Sequence, residues 1–378
     1  MAAATGMSGW VRSRWARLDG PGRLAGLDFA RGLAVVGMLA AHLLTIEPWV
    51  TSRPDTWIDI VNGRSSILFA TLAGVSIALV TGGRTPFRGT ARARASGRLA
   101  VRAAALWLIG LLLIATGVPV FVILPAYAIL FLLSLPFLGL RAPALFAIAA
   151  ALAVVMPFVQ AFLDAFPFWS TPVGELVGVS IGWAYPFPTW IAFLLAGMAL
   201  GRADLRSVSV QGALLAAGAA VATLAYGVAA ISGSDRASED TDYLAAVWTA
   251  RAHSTGLLEV LGSGGLAVAV IAACLLLCRT PVRWVAVPLR AVGSMPLTAY
   301  TAQIVVWAVY AASALGTTGA LSAFRALEPF WPITLGIIVG CLVWALLAGR
   351  GPLEAAIDRV VRWMVREPDR APATPSLG

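Results

Sequence analysis

A run of ~20 apolar residues spans the ~30 Å of a bilayer's hydrocarbon. Inside that layer a backbone can satisfy its own N–H and C=O groups only as a helix or a closed barrel. Ten runs in this chain fit the helix, at 28–48, 63–82, 98–116, 119–139, 144–163, 186–202, 209–231, 256–278, 293–315 and 331–349. The expected fold class is all-α: a polytopic integral membrane protein with about ten transmembrane helices. Charged residues make up 12% of the chain, against about a quarter in soluble proteins. Residues 1–26 read as a basic lead, 27–350 as the transmembrane domain and 351–378 as an amphipathic segment with a tail. The lead lacks a small-residue cleavage site, so the first span is expected to be retained.

Charge placement sets the expected topology. All 27 basic residues are Arg. They concentrate in alternate loops: Arg12, Arg14, Arg17 and Arg23; then Arg84, Arg88, Arg92, Arg94 and Arg98; Arg141; Arg202 and Arg206; Arg279, Arg283 and Arg290; and Arg350, Arg359, Arg362, Arg366 and Arg370. The opposite loops hold Arg53, Arg236, Arg251 and Arg325, with Arg64 at a helix mouth, and are otherwise acidic. The positive-inside rule then puts both termini in the cytoplasm of a multi-pass plasma (inner) membrane protein. The net charge of +9 follows this topology; no basic face with interleaved aromatics points to nucleic acid. Cys274, Cys278 and Cys341 fall inside apolar runs and read as core thiols.

Arg31 and His42 are eleven residues apart. On a helix that brings them within about 20° of one face and separates them by roughly 16 Å. Asp28 joins the same stripe three residues earlier. A buried acid, guanidinium and imidazole are costly in lipid unless they face protein or a cavity, which makes the stripe a candidate site. With Asp28, Arg31 suits an anion site at the cytoplasmic mouth; the alternatives are that it snorkels to lipid phosphates or simply pairs with Asp28. His42 suits a general base or a helix-bridging histidine. The other histidine, His253, lies in an outer loop before the eighth run. Asn62 is placed to cap the second helix, and Arg64 to stabilise an oxyanion or to pair with Asp59. Ser294, Thr298, Tyr300 and Gln303 give the ninth run a polar start, as ligand contacts or as interhelical glue. Pro119, Pro125 and Tyr127 suggest a kinked helix beside a cavity. The aromatic stretch around Phe166–Trp169 and Trp183–Pro186 reads as an interfacial belt or an acceptor lid, and residues 235–240 as a solvated loop. No metal-ligand cluster is visible, and two histidines alone do not make a zinc site.

Leu27-Asp28-x-x-Arg31-Gly32 with His42 resembles the Arg-x10-His signature of membrane acyltransferases. Gly63-Arg64-Ser65-Ser66-x-Leu68-Phe69, Ile123-Leu124-x-x-Tyr127-Ala128, Gly197-Met198-x-Leu200-Gly201-Arg202, Pro296-Leu297-Thr298-x-Tyr300-x-x-Gln303 and Gly351-Pro352-Leu353-Glu354 are similar to the YeiB-like and heparan-α-glucosaminide N-acetyltransferase-like proteins. The resemblance implies an acyltransferase that takes acetyl from cytoplasmic acetyl-CoA, its donor substrate, to an envelope glycan or small-molecule acceptor on the outer side. His42 would take the catalytic role; on the reading of the residues themselves Asn62 and Arg64 are the expected oxyanion partners and His253 the group that orients the acceptor. Asp28 and Arg31 would take the donor side; Ser294, Thr298, Tyr300 and Gln303 join them as donor contacts on the reading of the ninth run itself. The chain has no histidine between Glu47 and Asn62, where the heparan enzymes place theirs, so heparan is not the expected acceptor. The expected partners are the bilayer, acyl-CoA and the acceptor, with room for a homodimer. A transporter of a small molecule or lipid-linked substrate, or an assembly scaffold, is the alternative reading.

Overall fold

The structure is a computed structural model, and it describes residues 15, 18–20, 22–234 and 242–365. The expected solvated loop at 235–240, with Arg236, and Arg12, Arg14, Arg17, Arg366 and Arg370 lie outside the described residues. The first helices are α1 Ala25–Leu43, α2 Arg64–Val80, α3 Gly89–Ile114, α4 Leu124–Ser134, α5 Ala142–Asp164, α6 Pro172–Ile181, α7 Phe187–Arg202 and α8 Val208–Ser232. They are followed by α9 Tyr243–Val247, α10 Leu257–Leu277, α11 Val282–Val285, α12 Val287–Ser294, α13 Pro296–Leu315, α14 Leu321–Arg325, α15 Phe330–Leu347 and α16 Pro352–Met364. No strand occurs among the described residues.

Among the described residues eight helices are long and apolar enough to cross a membrane: α1, α2 with its 3-10 lead-in Pro54–Val61, α3, α5, α8, α10, α13 and α15. The other two expected crossings are shorter, α4 with its 3-10 tail to Gly139, and α7. Length is relaxed where neighbouring helices rather than lipid surround a segment. α7 meets that condition, being buried almost continuously from Thr189 to Arg202. Pro125 sits in the first turn of α4 and Pro119 in the preceding loop, so the expected proline kink is instead a helix start. α3 begins nine residues before the expected span because its Ala- and Arg-rich lead is a good helix former. α1 ends at Leu43, five residues early, as the chain turns extended at Leu44 ahead of Pro48.

Between helices in lipid, close packing rather than hydrophobic transfer supplies the attraction. Small residues provide it here. A Cβ on Gly74 of α2 would lie 1.9 Å from the Leu194 carbonyl oxygen, and one on Gly197 of α7 would lie 1.8 Å from that of Thr71. α1 and α12 meet the same way: Gly293 would place a Cβ 1.8 Å from Asp28 O, and Gly32 would place one 2.0 Å from Leu289 O. Cys274, Cys278 and Cys341 are buried and unpaired within this packing.

Contacts between loops define two ends. At the arginine-rich end Arg84 pairs with Asp204 at 3.0 Å, Arg290 with Asp19 at 2.6 Å, and Arg102 and Arg350 share Asp358. Arg202 donates to the carbonyls of Ala78, Thr81, Gly83 and Leu138 and to the Thr81 hydroxyl, tying α7 to the end of α2. Arg31 also belongs to this half, with His42 one helix length away at the other end. α16 is the expected amphipathic helix. It buries Ile357 and Val361 and exposes Val360, Trp363 and Met364.

Candidate functional site

At the histidine end, four segments far apart in sequence close around a hollow of about 140 Å³. His42 enters from the last turn of α1, Asn62, Gly63 and Ser66 from the start of α2, His253 from the loop before α10, and Leu321 and Arg325 from α14. Pro119, Val120, Phe121 and Tyr185 complete the wall, and Met38 forms part of it. The aromatic stretch supplies Tyr185, whose hydroxyl donates to Phe121 O at 3.0 Å. Behind it Trp169 and Trp183 stack at 4.3 Å.

Each polar member is held by a different device. The His42 carbonyl is among the last four of α1, which have no partner within a helix. Arg325 supplies one, donating from Nε at 3.2 Å and Nη2 at 2.8 Å. Its cation at a helix C-terminus is favourably placed against the helix dipole. Burial pulls the Arg325 guanidinium below its ordinary pKa, the mark of a partly desolvated charge. The His42 imidazole has no hydrogen-bond partner among the described residues and lines the hollow.

His253 is fixed by its backbone and its ring. Its φ of 64° is left-handed, an uncommon state for a residue with a Cβ. The Glu259 carboxylate holds that turn, accepting from His253 N and Thr255 N, each at 2.6 Å, and from the Ser254 hydroxyl at 3.1 Å. Asn62 Nδ2 donates to Asp59 Oδ1 at 3.3 Å, so Asn62 Oδ1 is the acceptor facing His253 Nε2 at 3.2 Å. This network puts the proton on Nε2 and leaves Nδ1 as the basic nitrogen. Burial first, and the Arg64 guanidinium second, hold His253 below the ordinary histidine pKa.

Asn62, His42 and His253 are thus brought together, and the other expected residues are not. Asn62 does not cap α2: Gly63 is the N-cap, and no side chain bonds there. The amide is committed to Asp59 and His253 instead. Arg64 points away from the hollow, donating to the Tyr226 hydroxyl at 2.9 Å and to the Asp59 backbone carbonyl at 3.0 Å; its expected carboxylate pair with Asp59 is not formed. Asp28 and Arg31 lie at the other end, where Arg31 bonds Asp28 at 2.9 Å and Ser76 at 2.8 Å, and Arg23 also reaches Asp28. Ser294 donates to Ala291 O. Thr298 is bound by Glu354, which also accepts from Leu297 N and Thr298 N and so caps α13. Tyr300 accepts from Ile123 N, and Gln303 is 2% exposed with neither amide atom paired.

The stripe between Arg31 and His42 is filled. Ala34 and Val35 are fully buried and Met38 is 2% exposed, so the hollow ends at Met38. Beside it the buried face of α13 carries Gln303 and Trp307, whose side-chain polar atoms have no partner among the described residues, and neither has the buried hydroxyl of Tyr127 on α4. Each such atom costs about 1–3 kcal/mol when left dry.

Sequence reasoning passed over two important residues. Arg325 stood out only as one of few arginines in the outer loops. Glu259 was visible as a lone carboxylate inside an apolar run, a strong signal in a membrane chain.

No curated protein matches the chain. A family described as a protein of unknown function (DUF418) matches residues 210–364. The description heparan-alpha-glucosaminide N-acetyltransferase, catalytic, matches residues 23–229. With a helical membrane bundle and a histidine-lined hollow already in view, that match over more than half its length means that the chain belongs to the heparan-alpha-glucosaminide N-acetyltransferase catalytic family.

Proposed function

We propose that the chain is a membrane acyltransferase that moves an acetyl group from acetyl-CoA to an envelope acceptor bearing a hydroxyl or amine. The carrying observation is the convergence of His42, His253, Asn62 and Arg325 on one hollow in a chain of this family. In this reading the arginine-rich end, with both termini, faces the cytoplasm of the plasma membrane and receives the donor. The acceptor enters from the histidine end. At about 140 Å³ the hollow is small beside the ~300–1,000 Å³ of most ligand sites. It suits an acetyl group and the reacting end of an acceptor.

Chemistry then follows from the positions. His42 accepts the proton from the acceptor, whose oxygen or nitrogen attacks the thioester carbonyl. The resulting oxyanion is stabilised by the Arg325 guanidinium in surroundings where charges interact strongly. The C–S bond breaks, and the imidazolium returns its proton to the departing thiolate. His253, neutral and basic at Nδ1, orients the acceptor through its N–H or O–H. Arg31, paired with Asp28, serves the donor at the other end. The donor's arm passes along the Tyr300–Gln303 face when the stripe at Val35 and Met38 opens, and the unpaired Gln303 amide is what that arm would bond. Thr298, bound to Glu354, holds the start of α13, and Ser294 closes the end of α12.

The test is acetyl transfer from labelled acetyl-CoA in purified protein and its His42→Ala variant, with mass spectrometry of envelope glycans and lipids from cells carrying each. Labelled product in the wild type, and about 10²–10⁴-fold less in the variant, is expected. Unchanged product in His42→Ala, or no acetyl-CoA binding by the wild type, overturns the reading.

A further inference from the structure

A second hollow of about 390 Å³ lies at the arginine-rich end, away from the histidines. Arg94, Arg98 and Arg102 line it from one face of α3, spaced four residues apart, so they stack a turn above one another. Val80, Phe87 and Leu99 form the apolar side, and no lining residue is an acid. Arg102 reaches Asp358 at 2.6 Å, but Asp358 also takes Arg350 at 2.5 Å, so one carboxylate answers two guanidiniums. Arg94 is exposed, with Nε bonded only to the Thr90 carbonyl at 3.4 Å. Among the described residues Arg94, with Arg102 and Arg350 against the one Asp358 carboxylate, leaves the balance positive without counting Arg98, and guanidinium forks match the oxygens of a phosphate ester.

The rim points to the source of that phosphate. Val80 is 53% and Phe87 39% exposed, and Leu79 beside them is 41% exposed. α16 packs along α3, with Val365 3.7 Å from where a Cβ on Gly97 would stand, and turns Trp363, 73% exposed, outward. An amphipathic helix with an outward Trp lies in the headgroup layer. The hollow therefore opens where headgroups meet acyl chains. We infer that it is a binding site for the phosphodiester of an anionic phospholipid, with the headgroup on Arg94, Arg98 and Arg102 and the chains along Leu79, Val80 and Phe87. The site is separate from the acyl-transfer hollow and stands whether or not that chemistry is correct.

Thermal unfolding in neutral detergent, titrated with phosphatidylglycerol or phosphatidylcholine, tests it. Phosphatidylglycerol should raise the wild-type midpoint saturably, and phosphatidylcholine should not. R94Q/R98Q should weaken the apparent affinity about fivefold per guanidinium removed. R359Q/R362Q on α16 should leave it unchanged. If the double variant does not fold, Arg94→Gln alone, at an exposed position, carries the same expectation, and Arg94→Lys should restore part of the shift. A full phosphatidylglycerol response in the Arg94 variants overturns the proposal. So does abolition of that response by adenosine 3′,5′-bisphosphate, which would assign the hollow to a soluble phosphate ester.

Discussion

The two ends of α1 carry polar groups of the same kinds and treat them oppositely. Around Arg31 they are largely used up: Arg31 on Asp28 and Ser76, Arg290 on Asp19 and two carbonyls, Arg202 on four carbonyls and a hydroxyl. There α1 and α12 approach until a methyl group would collide with backbone. Around His42 capacity is left over. The His42 imidazole has no partner among the described residues, His253 keeps a basic nitrogen, and Arg325 uses two of its nitrogens on one carbonyl. A polar residue in a membrane is therefore not a functional residue by that fact alone. What separates the ends is whether its hydrogen-bonding capacity is already consumed by the fold.

The contrast can be broken by experiment. The largest effect expected is on turnover: His42→Ala should lower kcat about 10²–10⁴-fold, the range for losing a general base, with the thermal midpoint little changed. A wild-type rate in that variant would make the open imidazole incidental. Arg325→Gln comes next, at about 10²–10³-fold in kcat for loss of one oxyanion partner. Its KM for acetyl-CoA should hold, and a change in KM alone would move Arg325 from the chemistry to binding.

At the other end the loss should fall on stability. Gly293→Ala puts a Cβ against Asp28 O and should cost about 1–3 kcal/mol or more, read from thermal or denaturant unfolding in detergent. A neutral outcome would mean that the close approach of α1 and α12 is not needed.

The smallest effect concerns pH. The depressed His253 pKa means that the unfolded chain takes up a proton before the folded one does. Its contribution to stability is complete above the ordinary histidine value of about 6.5 and is lost as pH falls through the lower folded value. Activity that needs neutral His253 should fall over the same acid range. Arg64→Gln removes a cation that depresses His253, so the acid limb should move to higher pH. An unmoved limb would detach Arg64 from the site altogether.

The crossings were readable because apolar length is a local property. The eight long helices fall close to the expected spans, and the family resemblance drawn from short motifs is matched by the family that covers residues 23–229. Misjudged boundaries came where local propensity extended a helix into a charged segment, as at Gly89, or where a proline set a later helix start, as at Pro125 of α4. Site residues were less legible. His42 and His253 were visible because histidine is scarce, but Arg64 and Arg325 looked alike as outer arginines. Only the partners differ: Tyr226 and the Asp59 carbonyl occupy Arg64, whereas Arg325 reaches the frayed end of α1.

By itself the sequence determined that the chain lies in a bilayer as helices, and that an acid, a guanidinium and an imidazole share one face of the first. Hydrophobic length and the 3.6-residue turn suffice for both, because each depends on neighbours in sequence. The tertiary structure alone decided that His42, Asn62, His253 and Arg325 meet, that Arg64 turns away, and that Ala34, Val35 and Met38 close the stripe above Arg31. Those outcomes depend on which side chain consumes which hydrogen bond across helices, a pairing between residues far apart in the chain.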